Sequence, residues 1–204
     1  MSIRLEGIIL AAGESHRMGY PKPLLEIDGK AFIEKIAATM LDVVPRLVIV
    51  LGAHADKIRP AIPRDSRIEI VENPNYSRGQ LSSLKVGLGA IQSDTAGAIV
   101  HLADHPMVDV KSFKAIVDSY DRTRKPIVIA RSGGRRGHPV LFDRTVFAEL
   151  LSAPEDEGAR YVVNADASRV EYVDLEDPGI NLDLDTPADL ARAGLAAPPP
   201  ERLR

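Results

Sequence analysis

Short apolar runs rich in β-branched residues alternate with longer segments in which apolar positions recur every three or four residues. The short runs predict strands at residues 7–10, 47–51, 68–72, 98–102, 127–130 and 171–173. The longer segments predict helices at residues 31–41, 56–62, 80–91, 111–120 and 143–151. Run 47–51, LVIVL, is apolar throughout, which is typical of a parallel strand covered on both faces. We therefore expect an α/β protein with a doubly wound, mostly parallel sheet in three layers, a Rossmann-like arrangement.

The C-terminal part contains one more helix signal and then loses its pattern. Thr186 can cap a helix that has Pro187 at its first position and Asp189 three residues after the cap, which predicts a helix ending near residue 193. Segment 196–204, AAPPPERLR, is rich in proline and has no packing pattern, so we expect a disordered or extended tail. No linker or internal repeat is visible, so residues 1–195 are expected to form a single domain.

Composition excludes several classes of function. The 204 residues include 26 basic and 29 acidic side chains, a net charge of −3, and they include no cysteine. Disulfides, thiolate metal sites and cysteine nucleophiles are therefore excluded, and the overall field does not favour nucleic acid or an anionic membrane. No stretch reaches the roughly 18 apolar residues that span a bilayer, and the N-terminus does not resemble a signal peptide. We expect a cytoplasmic protein with no nucleic-acid or membrane partner.

The segment after the first predicted strand, LAAGESHRMGYPKPLL at residues 10–25, combines glycines with cations. Gly13 and Gly19 allow tight turns that bring backbone N–H groups close to anionic oxygens, and Arg17 and Lys22 supply positive charge. The segment matches neither the P-loop spacing nor the dinucleotide fingerprint. It is either a polyphosphate site or an ordinary connection with incidental cations.

Ligands of open α/β sheets bind beyond the carboxyl ends of the strands. Two acidic side chains in such positions are candidate metal ligands. Asp104 follows the predicted strand at residues 98–102, and a carboxylate there could hold Mg²⁺. Asp185 precedes the last helix, where it is either a ligand or a charge that favours the helix start. His101 and His105 are four residues apart without the helical context of a zinc site, so hydrogen-bonded, partly buried histidines are the alternative to zinc.

Residues 131–139, RSGGRRGHP, form the densest cluster of glycine and arginine in the chain. The cluster interrupts the alternation of strands and helices, and it predicts a loop that contacts a substrate. Arg135 and Arg136 either bind an acceptor phosphate or are solvated like most exposed arginines.

Residues 10–25 resemble the signature L-A-[AG]-G-x-S-x-R-M-G, followed by P-K, of the MobA-like NTP transferases, and the likeness extends from residue 8 to residue 190. Members of this family join a nucleotide to a phosphorylated acceptor and release pyrophosphate. The resemblance implies a nucleotidyltransferase fold in which Arg17, Lys22 and Asp104 are catalytic. It also implies a nucleotide-binding set made of Leu10, Ala11, Ala12, Gly13, Arg17, Lys22, Gly79 and Ser83.

Three later segments carry the same resemblance. Segment 73–84 resembles N-P-x-[YW]-x-x-G-x-x-x-S and implies that Gly79 and Ser83 lie near the base and ribose, although it also reads as an ordinary capped helix start. The segment around Asp104 resembles G-D-x-P, with Ala103 in place of the usual glycine. The segment around Asp185 resembles N-[IL]-[DN]-x-[DN]-T-P-x-D-L. These likenesses imply Mg²⁺ or Mn²⁺ held by Asp104 and Asp185, with Asp183 as the next candidate ligand.

Two smaller features suggest the molybdenum cofactor cytidylyltransferases within this family. Gly137, His138 and Pro139 resemble the G-H-P element of the members that act on molybdopterin, which implies an acceptor-binding role for all three, and Ala12 resembles the cytidylyl branch. The implied reaction moves CMP from CTP to the terminal phosphate of molybdopterin or molybdenum cofactor, with a molybdoenzyme as the implied recipient of the product. Two alternatives stay open: a nucleotidyltransferase acting on a sugar or polyol phosphate, and a non-catalytic nucleotide-binding and cofactor-binding maturation factor.

Overall fold

A computed structural model describes residues 3–196. The strands are β1 (Leu5–Ala11), β2 (Glu26–Ile27), β3 (Lys30–Ala31), β4 (Leu47–Leu51), β5 (Ile68–Glu72), β6 (Gly97–Leu102), β7 (Ile127–Ser132), β8 (Arg135–Asp143) and β9 (Val170–Asp174). The helices are α1 (Phe32–Leu41), α2 (Ala55–Ile58), α3 (Gln80–Gly89), α4 (Val110–Thr123), α5 (Phe147–Ser152), α6 (Arg160–Ala165) and α7 (Pro187–Arg192). The expected tail at residues 197–204 lies outside the described residues.

Seven strands form one sheet in the order β5-β4-β1-β6-β8-β7-β9. All neighbouring pairs are parallel except the two that involve β8, which runs antiparallel to β6 and β7. The predicted doubly wound, mostly parallel sheet is therefore confirmed. Leu10 near the end of β1 is level with Val50 of β4 and Leu102 of β6, so these strands end at the same edge. We call this the carboxyl edge of the sheet.

Helices cover both faces of the sheet. On one face α1, α2 and α4 pack Ile36, Ile58 and Phe113 against strand residues such as Ile9. On the other face α3, α5 and α6 cover a second core that includes Ile8. Every side chain of β4 is fully buried, which accounts for its uninterrupted apolar sequence. The result is a three-layer α/β/α arrangement whose carboxyl edge is left to the loops.

The prediction of a loop at residues 131–139 is wrong, because this segment forms a β-hairpin. β7 turns through Gly133 and Gly134, whose φ angles of +55° and +77° suit glycine, and β8 returns as the one antiparallel strand of the seven-stranded sheet. The first residues of β8 are exposed and polar, whereas its second half is buried, so the strand has no uniform alternation. The reversal brings the start of β8 to the carboxyl edge.

Two predicted helices have different bounds in the structure. The helix predicted at 143–151 is shorter because Asp143 ends β8 and its carboxylate accepts the Thr145 backbone N–H at 2.8 Å, after which a 3₁₀ turn leads into α5. The helix predicted at 56–62 gives way to a 3₁₀ turn after α2, where Pro60 cannot donate to an α-helical hydrogen bond. The short strands β2 and β3 and helix α6 were not predicted.

The predicted start of the last helix is confirmed. The Thr186 hydroxyl accepts the Asp189 backbone N–H, while the Asp189 carboxylate accepts the Thr186 N–H at 2.7 Å. This reciprocal capping box fixes the direction in which α7 leaves the carboxyl edge. Within residues 3–196, no helix has both the length and the apolar character needed to cross a membrane.

Candidate active site

The loop that follows β1 is folded by its own hydrogen bonds. The Ser15 carbonyl oxygen accepts the backbone N–H groups of Met18 and Gly19 at 3.0 and 3.1 Å. The Ser15 hydroxyl oxygen accepts the Lys22 backbone N–H at 3.1 Å. Gly19 has a φ of +68°, a conformation that glycine adopts without a steric penalty. Ser15 thus determines how the loop presents its two cations to the carboxyl edge.

Lys22 is the centre of a charged group drawn from three distant parts of the chain. Its Nζ donates to Asp104 Oδ2 at 2.8 Å and to Asp185 Oδ1. Arg17 pairs with the other oxygen of Asp185 at 2.7 Å. The structure therefore brings all four of these predicted residues together, two cations and two carboxylates, at the carboxyl edge.

Tertiary packing explains how Asp185 reaches this place. Leu184, the residue before it, is fully buried in a small apolar cluster that also contains Met18 and Phe32, and the backbone N–H of Leu184 donates to the Asp104 carbonyl at 3.4 Å. Gly179 lies against the loop between β6 and α4, where a Cβ atom would stand 2.5 Å from the Met107 carbonyl oxygen. The C-terminal segment is therefore anchored on both sides.

The charges in this group set each other's ionisation. Burial lowers the pKa of Lys22, but the charge of Asp104 and the hydrogen bonds to Asp104 and Asp185 outweigh burial, so the pKa is raised. Burial likewise raises the pKa of Asp104, but the nearby Lys22 charge and hydrogen bond bring that pKa below its ordinary value. Lys22 is therefore cationic and Asp104 anionic at neutral pH.

A cavity of about 590 Å³ opens beside this group. Its lining contains every residue of the predicted nucleotide-binding set together with both predicted metal ligands: Leu10, Ala11, Ala12, Gly13, Arg17, Lys22, Gly79, Ser83, Asp104 and Asp185. We call it the loop cavity. One wall is the start of α3, where Gly79 has a φ of +104°.

The Ser83 side chain in this wall is buried and oriented by Asn73. The Asn73 amide nitrogen donates to Ser83 Oγ at 3.0 Å and to Ser82 Oγ at 2.8 Å. Asn73 was not among the site residues predicted from the sequence. Its position immediately after β5 could have indicated a role in the site, because side chains there reach the carboxyl edge.

A second cavity of about 660 Å³ adjoins the first. The start of β8 contributes Arg135, Arg136, Gly137 and His138 to its lining, and residues 155–160 line it as well. We call it the hairpin cavity. Pro139 is buried and does not line either cavity. Gly137 permits close packing here, since a Cβ atom at this position would lie 2.1 Å from the Ile180 carbonyl oxygen.

His105 and Asp183 line both cavities and mark their junction. His105 Nε2 lies 2.6 Å from Asp183 Oδ1 and 3.9 Å from Asp104 Oδ1. From the sequence, His105 was predicted only as a zinc ligand or a buried histidine, and Asp183 was a weaker candidate metal ligand than Asp185. His105 directly follows Asp104, and Asp183 is two residues before Asp185. This closeness in sequence was the only indication that both lie at the site.

Two neighbouring histidines are held neutral. His101 is fully buried, its Nε2 lies 2.9 Å from the His105 carbonyl oxygen, and its ring packs edge-on against Phe113. Burial, with the charges of His138 and His105, lowers the pKa of His101 to about 3. Burial, with the charge of His105, lowers the pKa of His138 to about 4. Both rings are therefore uncharged at neutral pH.

The acidic pair suits a divalent cation only together with a bound substrate. Across residues 3–196 there is no group of three or more histidine, cysteine, aspartate or glutamate side chains arranged to hold a metal ion. Asp104 and Asp185 have side chains that are 24% and 23% exposed, and both line the loop cavity. Mg²⁺ often binds one or two carboxylates and takes its other ligands from water and substrate phosphates. The residues present fit such an ion.

Fold and site together define a class. A glycine-containing basic loop, an acidic pair and a helix start converge at the carboxyl edge of an α/β sheet, as expected of a protein that binds a nucleoside polyphosphate. The family model of the MobA-like NTP transferase domain matches residues 7–170. The chain therefore belongs to the MobA-like NTP transferases, a family of nucleotidyltransferases, as its sequence motifs had suggested.

Individual relatives agree with this assignment. The chain is 27% identical to the molybdenum cofactor cytidylyltransferase of Escherichia coli K12, over 93% of this chain and 95% of that protein. It is 25% identical to a probable molybdenum cofactor guanylyltransferase of Bacillus anthracis, over 87% of each. The crystal structure of Rv0371c from Mycobacterium tuberculosis superposes with a TM-score of 0.81 at 29% identity, covering 94% of this chain and 97% of that one. A manganese complex of Rv0371c superposes with a TM-score of 0.76 at 28% identity, covering 93% and 97%.

Proposed function

We propose that this enzyme transfers CMP from CTP to the terminal phosphate of molybdopterin or molybdenum cofactor and releases pyrophosphate. The observation that carries the proposal is the pair of adjoining cavities that share His105 and Asp183 beside the charged group of Lys22. A triphosphate in the loop cavity and a phosphorylated acceptor in the hairpin cavity would meet at this junction. Holding two anions in line is most of what such a transfer requires.

In this proposal the loop cavity holds the nucleotide. Arg17 and Lys22 exchange their carboxylate partners for phosphate oxygens, and the backbone of Leu10, Ala11, Ala12 and Gly13 lies along the triphosphate. Gly79 and Ser83 contact the nucleoside, with Ser83 oriented by Asn73. Charge accumulates on the α-phosphate and on the leaving pyrophosphate during transfer, and pre-positioned cations stabilise it.

Asp104 and Asp185 are the proposed ligands of Mg²⁺ or Mn²⁺. Such an ion, when bound, neutralises charge on the phosphates as a Lewis acid. With Asp104 and Asp185 bound to such an ion, Lys22 would be free to donate to the phosphates. The manganese complex of Rv0371c, a relative at 28% identity, supports a divalent ion in this fold.

The hairpin cavity holds the acceptor, with Gly137 and His138 in its lining and Pro139 buried behind them. A phosphate monoester has a second pKa of about 6, so its attacking oxygen is already anionic at neutral pH. No dedicated general base is then required. The neutral state of His138 suits a hydrogen-bonding role. The E. coli relative, named for cytidylyl transfer to molybdenum cofactor, supports this acceptor.

The choice of cytosine depends on Ala12. Its side chain is 5% exposed and lies in the lining of the loop cavity, close to Gly52, where an added Cβ would stand 2.8 Å from the Ala12 Cβ. Glycine at this position would leave more room, so the methyl group favours the smaller pyrimidine base.

Pyrophosphate release, measured with each of the four ribonucleoside triphosphates, tests the proposal. The reactions contain Mg²⁺ or Mn²⁺ and either molybdopterin, a sugar phosphate, a polyol phosphate or no acceptor. We expect release with CTP that depends on molybdopterin. Release that depends on the sugar or polyol phosphate would change the acceptor, and nucleotide binding without release would identify a maturation factor.

The base assignment has its own variant. Ala12→Gly should raise the ratio of GTP to CTP turnover by about tenfold, the effect of about 1.4 kcal/mol. Ala61→Gly, outside both cavities, is the matched control and should keep the parent's ratio. An unchanged ratio in Ala12→Gly would remove Ala12 from base selection.

A further inference from the structure

The Arg136 side chain lines the hairpin cavity and contacts Tyr172 and Asn164. Its guanidinium lies 4.9 Å from the centroid of the Tyr172 ring, and its Nη1 donates to Asn164 Oδ1 at 3.2 Å. Arg131 lies 5.2 Å from the same ring, but two hydrogen bonds of 2.6 Å tie it to Asp174. Within the described part of the chain, Arg136 forms no salt bridge with a carboxylate. Its remaining donors are available to a ligand.

The position of Arg136 along β8 separates it from the junction of the cavities. Arg136 is two residues before His138, and strands rise about 3.4 Å per residue, so the two Cα atoms are about 7 Å apart along the strand. His138 lies close to His105, with ring centroids 5.7 Å apart. An acceptor whose phosphate is at the junction therefore meets Arg136 with its opposite end.

The segment 155–160 contributes three carboxylates and Arg160 to the lining of the hairpin cavity. Glu155 is paired with Arg78 at 2.6 Å, and Asp156 and Glu157 also line the cavity. These carboxylates disfavour a second anionic group, whereas they can accept hydrogen bonds from ring or amino N–H groups. Apolar side chains such as Ile129 and Phe142 complete the lining. These surroundings suit a flat, neutral ring whose edge carries both donors and acceptors.

We propose that Arg136 binds the planar heteroaromatic end of the acceptor, and that Tyr172 is a positioning residue that holds the Arg136 guanidinium flat. A guanidinium can stack on an aromatic ring and still donate within its own plane. For the acceptor of the proposed function, on which this inference rests, that end is the pterin. Arg136 therefore contributes to acceptor affinity and makes no contact with the nucleotide.

Steady-state kinetics of Arg136→Leu test this role. We expect the KM for molybdopterin to rise about tenfold, equivalent to about 1.4 kcal/mol, while kcat and the KM for CTP change by less than about twofold. Arg131→Leu is the matched control, because Arg131 shares the Tyr172 ring but does not line the cavity. An unchanged molybdopterin KM in Arg136→Leu, or an equal rise in both variants, would overturn the inference.

Variants of Tyr172 test the positioning role. Tyr172→Leu should raise the molybdopterin KM in the same way as Arg136→Leu, and Tyr172→Phe, which keeps the ring face, should restore the parent's value. The double variant Arg136→Leu with Tyr172→Leu should show no further increase, since the two residues act as one unit. Additive increases would mean that Tyr172 acts independently of Arg136, contrary to the proposal.

A binding measurement separates this inference from the proposed transfer. Free pterin, which lacks the phosphate, is titrated with the parent and with Arg136→Leu while pterin fluorescence is followed. We expect the variant to bind about tenfold more weakly, again about 1.4 kcal/mol. Failure of the parent to bind, or equal binding by both proteins, contradicts the inference. Intact pterin binding without pyrophosphate release contradicts only the proposed transfer.

Discussion

Replacement of Lys22 by alanine is the most direct test of the charged group. The substitution removes the Nζ that donates to Asp104 at 2.8 Å and to Asp185. Arg17 still pairs with Asp185, but within residues 3–196 no other lysine or arginine forms a salt bridge with Asp104. Two half-buried carboxylates then lie side by side with only one of their cations.

The expected loss of turnover follows from the role of a pre-positioned charge. Removing one such donor from a transition state costs about 3–4 kcal/mol, which lowers kcat by about 10²–10³. Stability changes less. Loss of a partner from a charged hydrogen bond costs about 1–3 kcal/mol, and each kcal/mol lowers Tm by about 2–4 °C in a protein of this size. Burial, no longer opposed by Lys22, should also raise the pKa of Asp104.

The assay is pyrophosphate release from saturating CTP and molybdopterin, with circular dichroism and thermal unfolding of the same preparations. Lys57→Ala is the matched control, because Lys57 is exposed on α2 and lines neither cavity. We expect the control to match the parent in turnover and Tm. A folded Lys22→Ala protein with a kcat within about threefold of the parent's would refute transition-state stabilisation by this residue.

Two further outcomes are expected. Gly137→Ala should lower the free energy of unfolding by about 3 kcal/mol in urea titrations, because the new Cβ would lie 2.1 Å from the Ile180 backbone oxygen. Gly89→Ala in helix α3 has open space and should be neutral or up to about 1 kcal/mol stabilising; equal losses in the two variants would contradict the packing argument. The stability of the parent should also fall as pH is lowered from 6.5 towards 4.5. The pKa of His101 is about 3 when folded and about 6.5 when unfolded, so the unfolded state binds more protons in this window. His101→Phe should reduce the slope of the unfolding free energy against pH. For one proton this slope approaches about 1.4 kcal/mol per pH unit. An unchanged slope in the variant would assign the pH dependence to other groups.

Much of the sheet was predictable because local and tertiary preferences agree there. β4 is apolar at all five positions and is fully buried, so its composition and its environment carry the same information. The charged loop was predictable for a different reason. Gly13, Arg17 and Lys22 occupy one short segment, and their chemistry depends on spacing within that segment. The Thr186 cap of α7 is equally local.

The remaining features depend on contacts between distant segments. The first half of β8 is exposed and carries Arg135 and Arg136, so its sequence looks like a loop until its pairing with β7 is known. Asp104 and Asp185 meet because Leu184 is buried beside the β1 loop, and Gly179 lets its segment approach Met107. No pattern within either segment encodes that meeting. The place of His105 between two cavities is likewise visible only in three dimensions.

The pairing of Arg17 and Lys22 with Asp185 and Asp104 has a consequence for selectivity. Arg17 and Lys22 are already paired with carboxylates, so an incoming anion must compete with Asp104 and Asp185 for these cations. Arg17 and Lys22 already share the two oxygens of one carboxylate, Asp185, so a single phosphate group can contact both cations. A chain of three phosphates can reach both cations and the surrounding amides together. We therefore expect a ligand with several phosphates to displace these carboxylates more readily than inorganic phosphate does, because it contacts more of the loop.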